Sequence, residues 1–479
     1  MAGVNGLVSL SGGTHRADEI FAIVSSSAIG ILSNCLVEIQ LLGPVDAPAS
    51  SDLYLLRDDS ARAAGFMSTE GQSVKLFRKR ATSLWFAGNS AEGMLVAIPG
   101  GRSVEEVHFD HVAHGHHWKL TPSMRALQSL TSDGAGAAFA PAWASSLDTT
   151  GPIQLSNAEK NVLVGIDENA IQCVLDRYTG VAPLGQGIGR ISSRHVQSPD
   201  NEIVVQQLVR DLQAIGGDDF DVRVHPFMHE GRQLFNVEAR FPANRNSAQE
   251  EVLVTAHLDS TAASSPPYSP DSDPAPGADD DASGIAAVLC AAATLKELAC
   301  EAEAVRAFRF VLFNAEEHGL VGSQSFARDM AELEVPIVAV LQMDMIGYNQ
   351  NDPRSFEVHA GYWPSPDTQA RSLQLASRLA EAQAMVSPNL ESPQIYHSTG
   401  AEPANRDPAE GRSDHAPFHQ HGFAACVISE DFFAGPTPTS PSAEANPNYH
   451  KETDDFVDLA YAADIARAVT ATAWAIARD

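Results

Sequence analysis

The sequence predicts an α/β protein. It should be a three-layer sandwich with a mostly parallel, mixed central sheet and helices on both faces, preceded by a small β-rich or α+β domain. Three observations carry this. From about residue 200, short apolar runs alternate with stretches of helical period, the pattern of strands joined by helical crossovers. Two of those runs, 252–256 and 308–313, stop at His257-Leu258-Asp259-Ser260 and at Asn314-Ala315-Glu316-Glu317, so metal-binding residue types fall at strand ends, where open α/β sheets place ligands. Before residue 134, short apolar pieces are separated by turn formers without helical period, which reads as β-rich.

A chain of 479 residues calls for two domains. We divide it into an N-terminal domain (1–133), a linker rich in Ala, Ser, Pro, Gly and Thr (134–157) and a larger domain (158–479). Hydrophobic content of 44% supplies sizeable cores. The formal charge of -30, from 31 Lys+Arg against 61 Asp+Glu, argues against nucleic-acid and anionic-membrane partners, which require basic patches. Cys35, Cys173, Cys290, Cys300 and Cys426 include no Cys-x-x-Cys pair, excluding a disulfide scaffold or thiolate zinc ribbon but leaving room for an isolated bridge. No apolar run is expected to reach transmembrane length. The apolar stretch 20–32 follows Arg16, Asp18 and Glu19, so no signal peptide is legible.

In the N-terminal region, strands are expected near 37–42, 53–56, 74–77, 84–86 and 94–98. His108, His111, His114, His116 and His117 crowd together before Trp118. No carboxylate framework accompanies them, so a surface or interdomain role outweighs a metal site. Beyond the linker, helices are expected at 166–178 and 201–215, where Ile203, Val204, Leu208, Leu212 and Ile215 keep helical spacing. Strands follow at 220–224, 234–241 and 251–256. The remainder alternates: helix 283–298, strand 308–313, helix 321–333, strand 337–343, helix 367–385, strand 423–428 and helix 456–477.

The candidate site comprises His257, an aspartate among Asp279, Asp280 and Asp281, the pair Glu316-Glu317, Asp344 and His450. Catalytic zinc takes nitrogen and oxygen ligands, and two ions about 3.5–4 Å apart need a bridging carboxylate plus separate ligands for each. Asp259 lies two residues past His257, on the same face of an extended stretch, placing a carboxylate at the imidazole's other nitrogen. Gly277 and Gly284 flank the acidic run and permit a tight backbone path. Adjacent glutamates can divide the work, one binding metal and one moving a proton. Singly, each of these residues is an ordinary loop residue; together, in order and at strand ends, they point to a two-metal hydrolytic site.

At these residues the chain resembles the zinc aminopeptidases of clan MH, of the bacterial leucyl aminopeptidase type. The matching segments are Ala256-His257-Leu258-Asp259-Ser260, Pro276-Gly277-Ala278-Asp279-Asp280-Asp281-Ala282-Ser283-Gly284, Ala315-Glu316-Glu317 with Gly322-Ser323, Asp344, Ser413-Asp414-His415 and His450, over roughly residues 200–479. The resemblance implies a zinc exopeptidase fold and two zinc ions per chain. His257 and Asp344 would serve one ion, Glu317 and His450 the other, and Asp280 would bridge them. Glu316 would be the general base, Asp259 the partner of His257, and a cis peptide would join Asp280 to Asp281. One departure stands out: 407–412 has no cysteine, and a glutamate falls where the bacterial leucyl enzymes carry a tyrosine in a disulfide loop.

The implied activity is release of an apolar, Leu-like residue from peptides with a free N-terminus. Met345, Ser413, Val427, Phe432, Phe433 and Tyr449 are the candidate substrate-pocket residues. A carboxypeptidase or amidohydrolase, a single-zinc glutaminyl cyclase, and a non-catalytic binding module of the same fold are the alternatives. In such enzymes an N-terminal extension is often a removable chaperone or inhibitory pro-region, and placement is secreted or periplasmic. Oligomeric state is not legible.

Overall fold

The structure is a computed structural model that describes residues 5–11, 20–25, 38–45, 51–57, 85–89, 93–99, 117–120, 151–242, 250–265, 267–301, 304–435 and 444–478. Its N-terminal part contains two antiparallel sheets. Strands β1 (Asn5–Ser11), β2 (Ile20–Ser25) and β3 (Glu38–Val45) lie in the order β2-β1-β3. Strands β4 (Ser51–Arg57), β5 (Trp85–Asn89), β6 (Gly93–Pro99) and β7 (His117–Lys119) lie in the order β5-β6-β4-β7. The expected β-rich character therefore holds where residues are described. The expected strand at 74–77 and most of the 134–157 linker lie outside them, as do His108, His111, His114 and His116; His117 opens β7.

Two short helices follow, α1 (Asn157–Leu163) and α2 (Glu168–Tyr178). A capping box starts α1: Ser156 Oγ accepts from Glu159 N at 3.2 Å while Glu159 Oε2 accepts from Ser156 N. Asp167 caps α2 through Ala170 N. Then come α3 (Asp200–Gly216), β8 (Asp221–His229), β9 (Arg232–Phe241), β10 (Glu251–His257), α4 (Gly284–Glu301) and β11 (Ala307–Phe313). They are followed by α5 (Val321–Glu332), β12 (Ile337–Met343), β13 (Glu357–His359), α6 (Pro366–Val386), β14 (Gln394–Tyr396), α7 (His415–Gln420), β15 (Ala425–Ser429) and α8 (Leu459–Arg478).

Strands β8 to β15 form one eight-stranded sheet in the order β14-β13-β15-β12-β10-β11-β9-β8. Its centre is parallel: β10 pairs β11 and β12, and β12 pairs β15. Every residue of β10 and β12 is buried, which is why both read as mostly apolar runs rather than alternating ones. From β10 the chain crosses through α4 to β11 on one side, then through α5 to β12 on the other. The strand order thus reverses at β10, and the crevice opens beyond the carboxyl ends of these strands.

The larger core lies on the face covered by α2, α3, α4, α6 and α8. Phe308 stacks on Trp474 at 6.4 Å, and the Trp474 indole N–H donates to Glu159 Oε1 at 2.7 Å, satisfying the one polar atom of that ring. A second core, with Phe313, Phe326 and Phe418, fills the other face beneath α5 and α7. The expectation that no segment has transmembrane length needs correction. Ala278–Cys300 is long and apolar enough, but three aspartates open it and most of it is buried inside the sandwich, so its apolarity is that of a core helix. Cys173, Cys290, Cys300 and Cys426 are free thiols, and no bridge joins the described cysteines.

The two parts of the chain touch at β7. Lys119 N donates to Gly319 O at 3.3 Å, and Gln324 Nε2 donates to Lys119 O at 2.8 Å. The histidine-rich tract therefore ends in a strand that contacts the loop carrying Glu316 and Glu317.

Candidate metal centre

His257 ends β10, Asn314-Ala315-Glu316-Glu317 follows β11, and Asp344 follows β12, so three neighbouring parallel strands deliver their residues to one crevice. The acidic run arrives through a kinked turn, Ala278–Ser283, in which Asp280 and Asp281 leave helical geometry and the peptide between them is cis. Gly277 adopts φ 49°, and a Cβ there would meet Asp280 O at 2.2 Å. Gly284 is needed for space instead: a Cβ would sit 2.4 Å from Asp281 Oδ1.

Two buried donor groups face each other across Asp280. Asp280 Oδ1 lies 3.0 Å from His257 Nε2, which is itself 3.6 Å from Asp344 Oδ1. Asp280 Oδ2 lies 3.2 Å from His450 Nε2, which is 2.9 Å from Glu317 Oε2. Within each of two groups, His257–Asp281–Asp344 and Asp280–Glu317–His450, the donor atoms all lie within 4.8 Å. Asp281 belongs to the first group by distance, but its oxygens already accept from the amides of His257 (3.1 Å) and Gly284 (2.9 Å). Asp280 is therefore the carboxylate that reaches a histidine of each group. Imidazole and carboxylate donors in a buried crevice fit a zinc-type cation.

The electrostatics point the same way. Burial and the neighbouring Asp280 push the Glu317 carboxyl up to about 8. Burial pulls His450 down, yet Glu317 and Asp280 outweigh it and raise the ring to about 9. Buried carboxylates crowded together compensate one another poorly, and a cation relieves the repulsion.

Asp259 sits on the Nδ1 side of His257 at 3.7 Å, beyond hydrogen-bond reach. Its oxygens instead accept from the amides of Glu316 (3.1 Å) and Glu317 (3.2 Å), so one carboxylate fixes the backbone of both glutamates. Ser413, expected in the pocket, donates its hydroxyl to Asp344 Oδ2 at 2.5 Å. Asp414 is buried, and burial together with the nearby Glu316 holds its carboxyl well above the usual range.

The apolar candidates gather beside the second group. Val427, Phe433 and Ala409 form a buried cluster with Phe432 against it. Phe432 lies 4.8 Å from Tyr449, whose ring stacks on His450 at 3.6 Å. Met345 contributes backbone: its carbonyl accepts from Ser429 Oγ (3.1 Å) and Glu430 N (2.8 Å). Ala315, Met345 and His450 all take positive φ (59°, 54° and 54°), an unfavourable conformation that collects where the surroundings over-determine the backbone.

Two supports were not singled out in the sequence. Arg194 is fully buried and donates to the carbonyls of Leu258 (2.9 Å), Tyr178 (2.8 Å), Pro276 (2.6 Å) and Gly277 (2.9 Å). Asp454 accepts from the amides of Asp279 (3.3 Å) and Asp280 (3.1 Å). Only its nearness to His450 in sequence hinted at Asp454.

The profile of peptidase family M28 matches residues 236–475, a span that contains every residue of the two donor groups. The chain belongs to peptidase family M28. Its similarity extends to Leucine aminopeptidase 1 of Coccidioides posadasii, 32% identical over 184 residues, which cover 36% of this chain and 45% of that protein. Leucine aminopeptidase 1 of Ajellomyces capsulatus is 26% identical over 296 residues, covering 56% of this chain and 71% of that one. The chain thus aligns with a little under half of the Coccidioides protein. Among solved structures, the Legionella pneumophila LapA aminopeptidase superposes with a TM-score of 0.60 at 16% identity, covering 90% of this chain and 99% of its own. That likeness shows a fold shared by the two chains, consistent with the expected sandwich.

Proposed function

We propose that this M28 chain is a di-zinc aminopeptidase that removes apolar, Leu-like residues from peptides with a free N-terminus. The observation that carries the proposal is Asp280, whose two oxygens face separate buried groups, His257 with Asp344 and Glu317 with His450. In this reading, those five residues hold the two ions. When bound, such ions acidify a water and polarise a peptide carbonyl.

The remaining steps belong to the protein's own residues. Glu316, next to Glu317 but outside both donor groups, takes the proton of the attacking water and returns it to the leaving amine. Asp259 keeps Glu316 in place by binding its amide, and Ser413 orients Asp344 through Oδ2, leaving Oδ1 toward His257. The cluster of Val427, Phe432, Phe433 and Ala409, next to Tyr449, receives the N-terminal side chain. The Leucine aminopeptidase 1 relatives support the choice of substrate. We further propose a secreted or periplasmic placement and a removable or regulatory role for residues 1–133.

The test is Glu316→Gln. It should retain two zinc per chain and lower kcat on leucyl anilides by at least about 10²-fold, the usual worth of a general base. Wild-type turnover in that variant would remove Glu316 from the mechanism.

A further inference from the structure

A second buried charge arrangement lies at the far end of the apolar cluster. His359, the last residue of β13, is fully buried with Nδ1 2.5 Å from Asp407 Oδ1 and Nε2 3.0 Å from Glu357 Oε2. A carboxylate at each ring nitrogen requires both nitrogens to donate, so the ring is an imidazolium. Burial alone would pull this histidine down, but Asp407 and then Glu357 outweigh it and raise it to about 9. Tyr396 stacks on the ring at 4.8 Å, and Phe433 meets it edge-on at 5.3 Å.

Each carboxylate also accepts from backbone amides of a loop. Glu357 Oε2 accepts from the amides of Phe433 and Ala434, both at 3.1 Å. Asp407 accepts from Ala409 N at 3.0 Å and Gly361 N at 2.8 Å. Phe433 and Ala409 are two members of the apolar cluster. They come from separate segments, one after β15 and one before α7, and no disulfide ties these segments together among the described residues. A line of rings then runs from His359 through Phe433, Phe432 and Tyr449 to His450, with centroid separations of 5.3, 5.9, 4.8 and 3.6 Å.

We propose that His359 is a positioning residue for substrate selection, clamping through Glu357 and Asp407 the two loops that carry Phe433 and Ala409 and so setting the shape of the wall that meets the N-terminal side chain. The inference rests on the aminopeptidase reading above. Its physics is that of a buried ion cluster: without the central cation, two buried carboxylates face each other uncompensated. They separate or take up protons, and the amides they hold move with them. The metal groups use other residues and keep their ligands.

The experiment is a steady-state comparison of His359→Gln with wild type on leucyl, phenylalanyl and alanyl anilides, with zinc counted on each preparation. The expected result is unchanged zinc, kcat within about threefold of wild type, and KM for the leucyl and phenylalanyl substrates raised by about 10-fold. The alanyl substrate, which barely reaches the wall, should change by less than about threefold; apolar pockets discriminate by factors of this order per group. A loss shared equally by all three substrates, or falling on kcat alone, would overturn the proposal. Asp407→Asn keeps an acceptor for His359 and disturbs the cluster less, so it carries the same comparison should His359→Gln not fold; an equal loss there overturns it too. Wild-type protein inactive on every free-amine anilide would instead refute the aminopeptidase reading, and the selection role with it.

Discussion

Asp259→Asn is the sharpest probe of how the two glutamates are held. In the native chain one buried carboxylate accepts from two amides, Glu316 N at 3.1 Å and Glu317 N at 3.2 Å. Asparagine keeps one acceptor oxygen and turns an NH₂ group toward the second amide, so one buried N–H loses its partner. Leaving such a donor unsatisfied costs about 1–3 kcal/mol, and the retained bond also weakens once its acceptor is neutral. The same substitution loosens the backbone that aims Glu316 and Glu317, and supports of this kind cost about 10- to 100-fold in activity or metal affinity. Urea unfolding should show the variant about 1–3 kcal/mol less stable, and kcat on a leucyl anilide should fall by about 10-fold or more. Asp259→Ala should cost more on both counts because it removes both acceptors. Unfolding free energy and kcat both within error of wild type in Asp259→Asn would refute this account of the loop.

Arg194→Met should destabilise the protein by about 3 kcal/mol or more, because it strips the donors from the carbonyls of Leu258, Tyr178, Pro276 and Gly277; a thermal melt within a degree of wild type would contradict that. The His359 cluster makes stability depend on pH in a defined direction. Its folded value, about 9, lies above the ordinary 6.5, so its contribution is complete below about pH 6.5 and is lost as pH rises through 9. At pH 7 this is worth roughly 3 kcal/mol. The unfolding free-energy gap between wild type and His359→Gln should therefore shrink between pH 7 and pH 10, and an unchanged gap would argue against the imidazolium.

Much of the eight-stranded sandwich was readable because its central strands are buried on both faces. The run 337–343 is fully apolar apart from Gln342 and forms β12 over that same span. Helix α6 begins at Pro366 behind the capping Ser365, one residue before the predicted start. Strands β13 and β14 went unseen because three residues are too few to show a period. In the N-terminal part, β1 was not anticipated, and β2 was noticed only as an apolar stretch.

The residues that gather in the two buried donor groups were legible because histidine and carboxylates are conspicuous after apolar runs. Their supports were not. Arg194 works through backbone carbonyls, which leave no trace in residue identity. The hold of Asp259 on two amides depends on how the loop after β11 turns back past β10, which is a property of the packed sheet. His359 gave no clue either, since Glu357 and Asp407 converge on it only after β13 and the loop before α7 come together.

We propose that Asp280 bridges two metal ions serving an exopeptidase. The measurement that tests it most directly is a zinc titration of metal-stripped protein, following bound metal per chain and hydrolysis of leucyl anilide against its N-acetylated form. Activity should rise to its full value as occupancy approaches two zinc per chain, on the free-amine substrate alone, and Asp280→Asn should lose the second site. Full activity at one zinc, or equal hydrolysis of the N-acetylated substrate, would contradict it.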